Sequence, residues 1–99
     1  MKVGIIMSLI VRFDGNMNVI GRLLKEYRMK KGLSYEKLSA NLELIGISIH
    51  KQSLYDIENN KRTVKDYELF GMAHVLGIDV NDLLVDIQKS FKNWVQNEF

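Results

Sequence analysis

The chain contains no cysteine, which excludes disulfides, zinc–thiolate clusters and iron–sulfur centres. Proline is absent too, and Leu, Ile, Lys, Glu and Met are plentiful, a composition that favours helices. Two histidines, His50 and His74, are too few for an all-histidine metal site. With no cysteine nucleophile and no glycine-rich phosphate loop, catalysis is not expected. His50 falls at the start of a predicted helix and His74 on the exposed side of another. The apolar run at 3–13 (VGIIMSLIVRF) is too short to cross a membrane. Lys2 precedes it, but no small-residue cleavage site follows, so the expectation is a cytoplasmic protein rather than an exported one. The whole chain is 99 residues, 46% hydrophobic and 26% charged, the composition of one small soluble domain and not of a disordered chain. So short a chain buries a small core, which favours oligomerisation.

The net charge of +2 conceals a strong asymmetry. Residues 17–65 carry ten Lys/Arg against five Asp/Glu, a net +5, whereas residues 66–99 carry two against six, a net −4. A basic middle suits an anionic partner, and the acidic end suits a different task.

Periodicity divides the chain further. Residues 3–13 read as a strand that pairs with its copy in a partner chain, or else as a segment upstream of a working domain that starts at Met17. From residue 18, Ile20, Leu23, Leu24 and Tyr27 follow a helical period that stops at Gly32. Ser34 caps a second helix with Leu38 and Leu42 inward, and Ile45, Ile47 and Ile49 alternate in the connection that follows, where all three are expected to tuck onto the core. A third, short helix from about Lys51 to Asn59 turns Leu54 and Ile57 to the core, leaving Lys51, Gln52, Tyr55, Asp56 and Asn59 outside. A fourth helix ends at Gly77, and Asp79 caps a fifth. The expected division is an extension at 1–16, a helical domain at 17–85 and a helical extension at 86–99.

Two helices joined by a glycine-containing connection are the ingredients of a helix-turn-helix. The segments IGRLLKEYRMKKGLSYEKLSANL, KQSLYDIENNKR and ELFGMAHVLGIDVNDLL resemble the Cro and lambda-repressor-like DNA-binding domain, over about residues 19–85. The resemblance implies an all-α, five-helix fold with the third helix in the major groove. It maps base-reading positions onto Lys51, Gln52 and Asp56, with Tyr55 on the same outer face. Lysine donates to guanine O6/N7 and glutamine pairs with adenine N6/N7. Asp56 accepts from cytosine N4, discourages a wrong register, or is simply an i,i+4 neighbour of Gln52. The resemblance places Asn59, Lys61 and Arg62 on the phosphate backbone. Ser34 and Tyr35 fall at another phosphate position, where Tyr35 donates its phenol or packs inward. It also implies a partly buried ion pair between Arg28 and Glu58. One departure stands out: the connection between the second and third helices is longer than the family's usual tight turn.

Beyond the resemblance, Leu84, Ile87, Phe91 and Trp94 continue as an apolar stripe. It is expected to join two copies of the chain, received by a face of the fourth helix at Tyr67, Phe70, Gly71 and His74. The competing arrangement folds Phe91 and Trp94 back on their own domain. The expected function is sequence-specific binding of duplex DNA by a homodimeric transcriptional regulator, most simply a repressor. The alternative is a protein-interaction or antitoxin-like module on the same scaffold. No cofactor, metal, membrane or small-molecule ligand is expected.

Overall fold

Caps written into the sequence set the helix borders. The computed structural model describes residues 15–98 and contains, among them, α1 (Gly21–Lys31), α2 (Tyr35–Leu44), α3 (Lys51–Glu58), α4 (Asp66–Leu76) and α5 (Val80–Glu98). The strand expected over 3–13 lies outside the described residues. Gly32 and Gly77 each adopt φ 70°, the left-handed conformation that closes a helix at little cost to glycine. Ser34 Oγ accepts from the Lys37 amide, and Asp79 Oδ1 from the Asn81 amide. The Lys65 amide at the start of α4 donates to Glu68, one turn on.

The first four helices enclose the core. Leu24, Leu42, Leu54, Ile57 and Met72 are almost wholly buried in it, and Leu83 brings in the start of α5. In the long connection Ile49 is buried and Ile47 packs against the core, but Ile45 is exposed, contrary to the expectation that all three tuck inward. Gly71 also differs from expectation. A Cβ there would collide with Ile47 Cδ1, so this glycine receives the connection of its own domain and not a helix of another chain.

α1 and α3 approach unusually closely at Gly21, where a Cβ would run into the Ile57 carbonyl oxygen. Asn18 bridges the same junction. Its Nδ2 donates to the carbonyls of Ile57 and Arg62, both at 2.9 Å, while its Oδ1 accepts from the Gly21 amide at 2.7 Å. Asn60, at φ 60°, accepts from the Met17 amide at 2.7 Å and donates to Asn16. Asparagine tolerates that backbone better than most residues. Gly21→Ala is expected to cost about 1–3 kcal/mol, since the carbonyl of a packed helix must move. Urea unfolding checks this, and unchanged stability would contradict the close approach.

α5 runs unbroken through position 85, where the sequence reading divides domain from extension. At about 1.5 Å per residue it spans roughly 28 Å. Ile87 packs against the core, whereas Phe91 is 47% exposed and Leu84 45%. The rings of Phe91 and Trp94 lie 6.0 Å apart on the same stretch of helix.

Candidate nucleic-acid interface

An eight-residue helix can divide its faces sharply, and α3 does so. Leu54, Ile57 and Glu58 point inward and are buried, while Lys51, Gln52 and Tyr55 are exposed and Asp56 is half-buried. His50 caps the helix: its Nδ1 accepts from the Gln52 amide at 3.2 Å. On the outer face, Gln52 Nε2 donates to Asp56 Oδ1 at 3.2 Å. Lys51 Nζ lies 3.4 Å from Glu36 Oε1 of α2, both side chains largely in solvent. An ion pair that exposed is worth about 0–1 kcal/mol, so Lys51 is readily released to another anion.

Behind this face sits a second layer. Arg28 Nε donates to Glu58 Oε2 at 2.6 Å and Arg28 Nη2 to Glu58 Oε1 at 3.1 Å, a two-pronged pair joining α1 to α3. The Arg28 guanidinium also donates to the Leu33 carbonyl at 2.7 Å, holding the turn into α2. Its hydrogen bond to Glu58 raises the Arg28 pKa further above its ordinary value. Tyr35 completes the layer: its hydroxyl donates to Glu58 Oε1 at 2.8 Å, and the Arg28 guanidinium sits 4.1 Å from its ring centroid. Burial, followed by that hydrogen bond, raises the phenol pKa. Of the two sequence readings of Tyr35, the structure gives the packed one. Its hydroxyl is spent on Glu58, which sequence inspection does not reveal because the partner lies in another helix.

The Tyr35 ring meets Tyr55 edge-on at 6.0 Å, and Lys61 Nζ stands 5.3 Å from the Tyr55 centroid. Tyr35, Tyr55 and Lys61 thus link the start of α2, the outer face of α3 and the loop after it. Ser34 and Asn59 are exposed along the same edge, although Asn59 Nδ2 is engaged with the Tyr55 carbonyl at 2.8 Å.

Arg62, expected on phosphate, is tied within its own domain. Its guanidinium grips Glu68 with two parallel hydrogen bonds of 3.0 and 2.9 Å, donates to the Thr63 carbonyl, and stays 29% exposed. Glu68 is buried, and the Arg62 hydrogen bonds hold its carboxyl below the usual range. A forked guanidinium–carboxylate pair of this kind is strong and directional, and it fixes the loop between α3 and α4. Sequence reasoning missed Glu68 as its partner. The signal available was a carboxylate three residues into a helix, where it returns to its own N-terminus.

Among the described residues no cluster of His, Cys, Asp or Glu is arranged to hold a metal ion. No helix among them is long and apolar enough to cross a membrane.

With this geometry established, comparison with known proteins adds one finding: a helix-turn-helix family model matches residues 24–83, more than half the chain. The chain belongs to that helix-turn-helix family, of the Cro/C1 type. Membership implies DNA binding, and the described five-helix all-α fold accords with it. Among curated proteins and among solved structures, none matches this chain.

Proposed function

We propose that this chain is a cytoplasmic, sequence-specific regulator of transcription that acts as a homodimeric repressor on duplex DNA. The observation that carries the reading is the two-faced α3. Its exposed side chains are polar, and its buried side is fixed by the Arg28–Glu58 pair. A helix held that firmly presents side chains at defined positions, as base reading in the major groove demands. Lys51, Gln52 and Tyr55 lie at its exposed edge to meet bases, with Asp56 beside them. Ser34, Asn59 and Lys61 flank them as groups for phosphate oxygens, which fix register without reading sequence. Repression follows simply if the bound protein blocks its site.

Two copies would cover two half-sites about 34 Å apart. The exposed Leu84 and Phe91, with Ile87 and Trp94 beside them, offer an apolar face on α5 for the second copy. The competing reading is an interaction or antitoxin-like module with no use for DNA.

Retention of the full chain on duplex DNA at graded salt separates the two. The expected outcome is log-linear weakening with log salt, with Lys61→Ala reducing the slope by about 1. No retention at low salt would refute the DNA-binding regulator. Sedimentation at tens of micromolar should show a dimer that Phe91→Glu dissociates; a wild-type monomer under those conditions would refute the α5 interface.

A further inference from the structure

Gln52 and Asp56 lie one turn apart on the outer face of α3, and their side chains are bonded to each other. A carboxylate only accepts hydrogen bonds, so the group of Gln52 that faces Asp56 must be its amide nitrogen. This settles which way the amide is turned. One N–H is spent on Asp56, leaving Gln52 the carbonyl oxygen as acceptor and one N–H as donor. The His50 cap on the Gln52 amide fixes the backbone from which the side chain projects.

The bases respond differently to such a group. In the major groove adenine offers a donor at N6 and an acceptor at N7, the complement of one acceptor plus one donor. Guanine offers two acceptors, O6 and N7, and would set O6 against the glutamine oxygen. Cytosine contributes a donor alone, and thymine an acceptor beside its methyl group. A glutamine free to rotate can turn its NH₂ to guanine; one tethered through its nitrogen has lost half of that capacity.

We infer that Asp56 is a positioning residue that, by holding the Gln52 amide, confines this step of the helix to an A·T pair read at adenine. Asp56 then acts through Gln52 and touches no base of its own. This inference rests on the proposal that α3 reads duplex DNA.

The test is selection from a random duplex library by the full chain and its variants, with thermal melting as a folding control. Wild type should prefer adenine over guanine at one position per half-site by roughly five- to 150-fold, the range of a bidentate base contact. Gln52→Ala should erase preference at that position. Asp56→Asn, of the same shape but able to donate as well as accept, should admit adenine and guanine there and leave every other position unchanged. Asp56→Ala should do the same. Asp56 variants that retain the wild-type motif would overturn the inference. So would variants that alter a different position from the one Gln52→Ala erases, since Asp56 would then contact its own base. A wild-type chain that enriches no motif would refute the DNA-reading proposal itself.

Discussion

Arg28→Ala and Glu58→Ala are each expected to cost about 3–5 kcal/mol, because either one strands the other's charge at a buried site. Their side chains are only 11% and 3% exposed, so water offers little compensation. For a domain of this size such a loss lowers the melting temperature by more than about 10 °C. The double variant should lose less than the sum, and additive losses in the cycle would show that the two do not interact. Tyr35 adds an alkaline signature. Its folded-state pKa is raised, so its contribution is complete below the ordinary value of 10.0 and is lost as pH rises through the raised one. Tyr35→Phe should therefore flatten the decline of stability above about pH 10.

Arg62→Ala should cost about 3 kcal/mol, the lower end of the range for breaking a buried pair, because Arg62 itself remains 29% exposed. The adjacent Lys61→Ala should leave stability within about 0.5 kcal/mol of wild type. On the proposed reading, adjacent cations then separate into one that holds the loop and one available to DNA. Glu68 gives the pair an acid limit. Its folded pKa is lowered, so the stabilisation is complete above the ordinary value of 4.5 and disappears as pH falls through the lowered one. Urea unfolding between neutral pH and pH 3 should show this acid loss in wild type and much less of it in Arg62→Ala. If Arg62→Ala behaved like Lys61→Ala in both stability and salt slope, the structural assignment of Arg62 would be wrong.

The helices were legible because their borders rest on local chemistry. Ser34 and Asp79 announce starts, Gly32 and Gly77 announce ends, and the apolar residues between them keep a helical period. What escaped is what joins helices. Asn18 is an ordinary polar residue until the fold brings the carbonyls of Ile57 and Arg62 to its amide. Gly71 reads as an opening for another helix, yet the opening is filled by Ile47 from the lengthened connection. Arg62 counts as one more charge in a basic block, and only the arrival of Glu68 turns it inward. Charge arithmetic registers a cation's presence, not its commitments.

The division of α3 into two faces has a consequence for how such a protein can diverge. Leu54, Ile57 and Glu58 carry the folding of this helix, while Lys51, Gln52, Tyr55 and Asp56 contribute little to the core. Those four positions can therefore be rewritten with only small losses of stability, since exposed substitutions away from caps and buried pairs usually change it by under about 0.5 kcal/mol. On the proposed reading of α3, a lineage built on this scaffold can acquire a new preference by drift at four codons without passing through an unfolded ancestor.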